Sequence, residues 1–181
     1  MKWLPDDPAV RRQLVDKFLV AVAFVALALL VLVVTGCATV SPQQSVAART
    51  VELWADTGTT WQGPPTVEVM STTAMAALRG RPNVAASYFC DGRKMYVVAE
   101  HAVADEDWLS ALLIHELTHH KQCIEGRLPG NRCRIEVEAY SAQIAWLHAR
   151  AAQLGFFAGS NARNHAAWVE GYMRQNFSEC L

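Results

Sequence analysis

The stretch DEDWLSALLIHELTHHKQC, residues 105–123, is the part of the sequence around which a fold has to be built. Its three acidic residues favour a helix N-terminus, because that end of a helix carries a partial positive charge. The apolar residues that follow, Trp108 and Leu112–Ile114, indicate a helix that is mostly buried. The sequence therefore predicts one long buried helix that ends near Cys123.

Two histidines on this predicted helix have the spacing of metal ligands. His115 and His119 are four residues apart, so both imidazoles project from one face and can share one zinc ion. Glu116 stands next to the first histidine, where a carboxylate can take a proton from an attacking water. His120 points to another side of the helix, and we interpret it as a structural or exposed residue.

The five residues form the HExxH pattern of zinc metallopeptidases. The apolar lead-in Leu112–Ile114 resembles the longer zincin consensus, although Lys121 stands where a hydrophobic residue is usual. The metzincin pattern is not met, because Gln122 and Glu125 stand where that family has Gly and His. Glu125 is a ligand only if the helix ends early.

The third ligand is expected on the next predicted helix. Residues 134–140, RIEVEAY, resemble the E-x-x-A-D ligand segment of the gluzincin families. Aligning the two on Ala139 implies that Glu136 is the ligand, with Glu138 as the alternative about 200° away around the helix. Tyr140 then stands where those families often have an Asp that orients a ligating His.

The gluzincin resemblance runs from about residue 84 to 146 and implies a Zn²⁺-dependent hydrolase of peptide bonds. Zincins bind extended substrate by adding it to a strand beside the active-site helix, here Val84–Tyr88 or Met95–Val98. The equal alternative is that both runs are ordinary core strands. An oxyanion also needs a hydrogen-bond donor. The candidates for that role are Tyr140, His165 and Tyr172.

Local patterns outside the motif predict a small α+β, zincin-like domain. A β-hairpin is indicated by two runs rich in aromatic and β-branched residues on either side of Asp91-Gly92. The predicted helices are 42–55, 73–78, 105–123, 134–154 (closed by Gly155) and 162–176, and the predicted strands are 66–70, 84–90 and 94–98.

An export signal precedes this domain. Phe18–Val34 is an uninterrupted apolar run behind a basic flank, and the residues that follow, up to Cys37, resemble a lipobox. We therefore expect a signal peptide over 1–36, lipidated Cys37 and a tether over 37–45, and the metallopeptidase domain over 46–181. By resemblance to Gram-negative lipoproteins, Ala38 favours an outer-membrane lipoprotein facing the periplasm, and the alternative is an inner-membrane signal anchor.

The remaining cysteines indicate two disulfides, which suits an exported domain. Three pairings are possible. The pair that closes a short loop, Cys123–Cys133, is favoured and leaves Cys90–Cys180. With a formal net charge of −1, the chain has no basic surface for nucleic acid.

These observations leave three hypotheses of function. The first is an envelope metallopeptidase acting on a peptide or protein, including peptidoglycan peptides, and bound to the membrane through its lipid. The alternative is a non-catalytic lipoprotein with a structural or vestigial zinc site that acts as a binding or assembly module. The third is a latent protease blocked by residues 43–61.

Overall fold

The computed structural model describes residues 40–59, 62–103 and 105–181, and its elements follow the predicted order. The helices are α1 (Pro42–Asp56), α2 (Thr72–Arg79), α3 (Ala99–Ala102), α4 (Glu106–Ile124), α5 (Arg132–Ala158) and α6 (Ser160–Asn176), followed by a 3-10 turn at Ser178–Cys180. The strands are β1 (Thr66–Met70), β2 (Ala86–Phe89) and β3 (Lys94–Val98). The predicted α+β class is confirmed, and in the described residues the short helix α3 and the C-terminal 3-10 turn are additions to the predicted elements.

Each of the two helices that bear the motifs begins where a side chain caps it. Asp105 accepts hydrogen bonds from the backbone N–H groups of Asp107 and Trp108 at 2.9 and 3.1 Å and so starts α4. Asn131 accepts one from Arg134 at 3.3 Å and starts α5. These caps satisfy N–H groups that have no partner within the helix.

The sheet has the order β1-β3-β2, with β1 parallel and β2 antiparallel to the central strand β3. Its two edges differ. At β1, the Gln43 side chain of α1 donates to Val67 O at 2.6 Å and accepts from Val69 N at 2.7 Å, so a side-chain amide covers that edge. The edge of β2 faces α4 instead, which leaves it as the edge beside the HExxH helix.

Helix α4 lies in the middle of the core. On one side Leu113 and Leu117 pack against the sheet and α1, which contributes the buried side chains of Leu53 and Trp54. On the other side Ala111 packs against α5 and α6. Because α4 is covered on both sides, its apolar residues spread around the helix rather than forming one stripe.

The disulfide pairing predicted from the sequence is wrong. The bonds are Cys90–Cys123, with Cα atoms 5.6 Å apart, and Cys133–Cys180, with Cα atoms 6.1 Å apart. The reason is the packing of the elements. The end of β2 lies against the last turn of α4, and the first turn of α5 lies against the C-terminal 3-10 turn. Although Cys123 and Cys133 are close in sequence, each is bonded to a cysteine from a more distant segment.

Several predicted features differ in extent from the structure. Helix α1 begins at Pro42, where the predicted helix begins, and extends one residue beyond its predicted end to Asp56, so residues 42–45 of the predicted tether are helical. Gly155, with φ 81° and ψ −172°, breaks the helical backbone where the predicted end of the helix stood. The signal peptide, Cys37 and Trp61 lie outside the described residues. Within the part of the chain that the structure describes, no helix combines the length and the hydropathy needed to cross a membrane.

Candidate metal centre

Three side chains from α4 and α5 converge on one point. The Nε2 atoms of His115 and His119 are 3.1 Å apart, and Glu136 Oε2 lies 3.5 Å from the first and 3.7 Å from the second. A tetrahedral zinc ion with ligands at ~2.0–2.1 Å separates them by about 3.3–3.4 Å. The measured triangle spans that value, so these three residues fit a zinc ion with one further position open.

The alternative ligands are engaged elsewhere. Arg127 binds both carboxylate oxygens of the exposed Glu138, at 2.5 and 2.8 Å, and its Nε lies 2.8 Å from Glu125. These ion pairs hold the two carboxylates on the outer surface of α4 and α5. Of the candidate third ligands, the geometry favours Glu136.

Gln122 orients one of the histidines. It is fully buried, its Nε2 donates to Ile135 O at 3.0 Å, and its Oε1 lies 2.8 Å from His119 Nδ1. A carbonyl can only accept, so the amide nitrogen must face Ile135 and the amide oxygen must face His119. Nδ1 of His119 therefore carries a proton, and Nε2 is the nitrogen that can bind a metal once its own proton is displaced.

The charges at the site are strongly coupled. Burial alone lowers the pKa of His119, but the hydrogen bond to Glu136 and the charge of Glu116 outweigh it and raise that pKa to about 9. Burial raises the pKa of Glu136, and the hydrogen bonds from both histidines reverse this and hold it well below its usual range. Without metal the pair is therefore an imidazolium and a carboxylate, and a cation entering the site replaces a proton.

His115 is oriented by packing. The Tyr140 ring lies 4.3 Å from the imidazole, centroid to centroid. Nδ1 of His115 is buried and has no hydrogen-bond partner among the described residues. The aromatic contact therefore stands where the gluzincin resemblance implies an Asp.

The metal position lies in a cleft of about 680 Å³ between α4, α5 and the edge of the sheet. Glu116 is buried, with 6% of its surface exposed, and lines this cleft together with the three converging residues. It is thus close to the site but is not one of the three grouped side chains. That placement suits a base acting on a molecule held at the metal.

Strand β2 forms one wall of the cleft. The central position of β3 rules out Met95–Val98 as the substrate strand, because both of its edges are paired. Val98 N donates to Ala85 O at 2.9 Å, and antiparallel pairing alternates along a strand. The N–H and C=O groups of Ala86 and Tyr88 therefore point away from β3, toward any chain added at this edge.

His120 on α4 is hydrogen-bonded to a side chain of strand β2. Its Nδ1 lies 2.9 Å from Tyr88 Oη and its Nε2 lies 3.0 Å from Gly63 O. Because Gly63 O only accepts, Nε2 carries the proton and the Tyr88 hydroxyl donates to Nδ1. Burial lowers the pKa of His120, which keeps it neutral. It is structural, as predicted, and it is fully buried rather than exposed.

Of the three predicted oxyanion donors, two line the cleft and one lies outside its lining. Tyr140 and Tyr172 line the cleft, with ring centroids 5.4 Å apart. Burial, with the neighbouring Tyr172 and Glu136, raises the pKa of Tyr140 well above its usual range, so its hydroxyl keeps its proton. His165 lies against the Trp108 ring at 5.0 Å and 3.8 Å from Asp105, away from the converging ligands.

Two features of the site were missed in the sequence. Gln122 was noted only as a mismatch to the metzincin pattern, although its position three residues after His119 places it on the same helix face. The arginines of the cleft, Arg79, Arg81 and Arg132, come from separate segments, and no local pattern connects them.

Comparison with known proteins yields a family. Residues 40–157 match the profile of a domain of unknown function, DUF6647, so the match covers the HExxH helix and most of α5. Separate comparisons with curated proteins and with solved structures give no match.

Proposed function

We propose that this chain, which belongs to the DUF6647 family, hydrolyses peptide bonds with a zinc ion held by His115, His119 and Glu136. The observation that carries the proposal is the triangle of donor atoms, with edges of 3.1, 3.5 and 3.7 Å, beside a buried Glu116. The donor set of two imidazoles and one carboxylate is that of a catalytic zinc site with an open position.

A zinc ion held by these three residues would supply a Lewis acid to polarise the carbonyl of the peptide bond to be cleaved, and would lower the pKa of water enough for it to attack at neutral pH. Glu116 accepts the proton of the attacking water and returns it to the leaving amine. The Tyr140 hydroxyl, which keeps its proton, donates a hydrogen bond to the charge that develops on the carbonyl oxygen. The free groups of Ala86 and Tyr88 hold the substrate extended.

Metal content and turnover of the full-length protein test the proposal. We expect about one zinc per chain by mass spectrometry, with zinc lost in Glu136→Ala and kept in the matched control Glu138→Ala. Glu116→Gln should keep zinc, and its rate of hydrolysis of a peptide library should fall at least ~100-fold. A parent that takes up no zinc when it is supplied, or a fully active Glu116→Gln, contradicts the mechanism.

The binding-module alternative uses the same cleft. Its aromatic wall includes Trp168, which is 59% exposed and can contact a partner as well as a substrate. One zinc per chain with no turnover of any peptide, together with one cross-linked partner in stoichiometric amount, would favour this alternative.

We also propose that the protein is a lipoprotein of the cell envelope. Two disulfides in the described residues support an oxidising compartment. Labelling with radioactive fatty acid should modify the parent and spare Cys37→Ser, and fractionation should place the parent in the outer membrane. An unlabelled parent that remains in the inner membrane would favour the signal anchor.

A further inference from the structure

Arginines without acidic partners line the cleft. Arg79 and Arg81 lie on the wall that leads into β2, and Arg132 lies on α5. Within residues 40–59, 62–103 and 105–181, none of the three forms an ion pair. Arg93, Arg134 and Arg163, which are outside the cleft lining, also form none within these ranges, whereas Arg49, Arg127, Arg150 and Arg174 each do. The cleft therefore concentrates positive charge that the protein itself does not neutralise.

The direction of the cleft follows from two contacts between β2 and α4. Tyr88 contacts His120, and Cys90 is bonded to Cys123, so the strand and the helix run in the same direction. The wall near the start of α4 is aromatic, with Trp108 and Trp168. Two of the three arginines, Arg79 and Arg132, lie toward the other end.

Arg79 and Arg132 mark that other end, which we call the cationic end. The guanidinium of Arg79 lies 5.3 Å from the ring centroid of Phe89, the last residue of β2, and its Nε is buried without a hydrogen-bond partner among the described residues. Arg132 is the first residue of α5. It precedes Glu136 by one turn on the same face, which is about 6 Å along the axis and so about two residues of an extended chain.

The carboxylates that line the cleft do not cancel this charge. They are Glu116 and Glu136, and the zinc ion of the proposed function would offset their two charges. Guanidinium groups match carboxylates in shape and bind them with paired hydrogen bonds. A neutral or basic group at the cationic end would leave the arginines desolvated and unpaired.

We propose that the cationic end binds a carboxylate of the substrate within about two residues of the cleaved bond. This rests on the proposed function, since it treats the cleft as a substrate site. The carboxylate is supplied either by an acidic side chain or by a free chain terminus. The enzyme is thus selective for peptides that carry a carboxylate, from either source, at that distance from the cleaved bond.

Binding to full-length, zinc-loaded Glu116→Gln protein in detergent tests this without turnover. The probes are fluorescent peptides with one Glu, placed at a different position in each peptide, among otherwise neutral residues. Each has a matched peptide with Gln at that position. Every probe is made with a free and with an amidated C-terminus. Anisotropy should show about tenfold tighter binding of the carboxylate form for at least one position or for the free terminus.

Matched variants assign that preference. Arg79→Gln and Arg132→Gln should reduce it to about twofold or less. Arg134→Gln, which removes an exposed charge from the same helix but outside the cleft lining, should leave it unchanged. Equal binding of all acid and amide forms to the parent would overturn the inference, as would an equal loss in Arg134→Gln.

The two proposals fail in different ways. Selective binding of acidic peptides with no hydrolysis by the unmodified protein would overturn the proposed function and support the cationic end. Hydrolysis with no preference for carboxylates would support the proposed function and overturn the binding of a carboxylate at the cationic end.

Discussion

At the scale of single residues, the geometry of the candidate site depends on side chains that contact the proposed ligands as well as on the proposed ligands themselves. Gln122 joins His119 to the backbone of Ile135, the residue just before Glu136. One buried amide therefore sets the ring of one ligand and ties the two ligand helices together. The disulfide predicted between Cys123 and Cys133 would have linked the same two helices, but it is not formed.

Replacing Gln122 with Met should weaken zinc binding about 10–100-fold, because the imidazole of His119 loses the acceptor that orients it. Gln122→Glu keeps an acceptor toward His119 and should recover part of the affinity. Competition with a chelator measures both values. Circular dichroism of the metal-free proteins checks that the fold persists, and an unchanged affinity in Gln122→Met would show that packing alone orients the ring.

Zinc affinity should also depend on pH through His119. Its pKa is raised to about 9 without metal, so below that pH the ring carries a proton that zinc must displace. The apparent affinity is therefore expected to rise about tenfold per pH unit from 7 to 9 and to level off above, with about one proton released per zinc. Glu138→Ala is the control with an unchanged slope, and a flat profile between pH 7 and 9 would contradict this account.

At the scale of elements, the helices and strands follow from local signals. Asp105 and Asn131 cap the two ligand helices, and Asp91-Gly92 turns the hairpin. The long helical segment α5 is interrupted at Gly155, where φ is 81° and ψ is −172°. This combination is essentially restricted to glycine, so one residue decides where the ligand helix ends.

Gly155→Ala should therefore destabilise the protein by about 1–3 kcal/mol, because a Cβ is strained at that backbone conformation although no atom lies within 4 Å of it. Gly171→Ala is the matched control. It is exposed inside α6 with equally open space and should stabilise by about 0.5–1 kcal/mol. Urea unfolding measures both, and a neutral Gly155→Ala would show that α5 relaxes there at little cost.

What the sequence could not predict depends on packing between distant segments. In the sheet, β3 is the central strand and β2 is an edge strand. The sequence of neither strand shows which of the two pairs with β1. The disulfide partners likewise depend on which ends of α4 and α5 meet β2 and the C-terminal turn. The grouping of His115, His119 and Glu136 was predictable, because helical periodicity places the two histidines together and one following segment supplies the glutamate.

At the scale of the whole molecule, helix α1 belongs to the fold rather than to the regulation of the cleft. Its side chains Val46, Leu53 and Trp54 are 0%, 2% and 3% exposed and pack in the core with α4. Of its described residues, none lines the cleft. The blocking segment of the latent-protease hypothesis is thus mostly a structural helix.

Removing residues 1–65 should unfold the protein instead of activating it. Each large buried side chain contributes about 1.5–3 kcal/mol, so losing three costs about as much as the whole stability of a small domain. A chain that begins at Ser41 is the control and should melt cooperatively by circular dichroism. A folded, more active fragment starting at residue 66 would restore the latent-protease hypothesis.

The pairing of the cysteines also bears on biosynthesis. In the described residues the first cysteine joins the second, Cys90 with Cys123, and the third joins the fourth, Cys133 with Cys180. A polypeptide is made and exported from its amino end, so each thiol meets its native partner next in order of emergence. An oxidase that joins thiols as they appear would produce the native bonds directly, and a cell would need no isomerase to correct them.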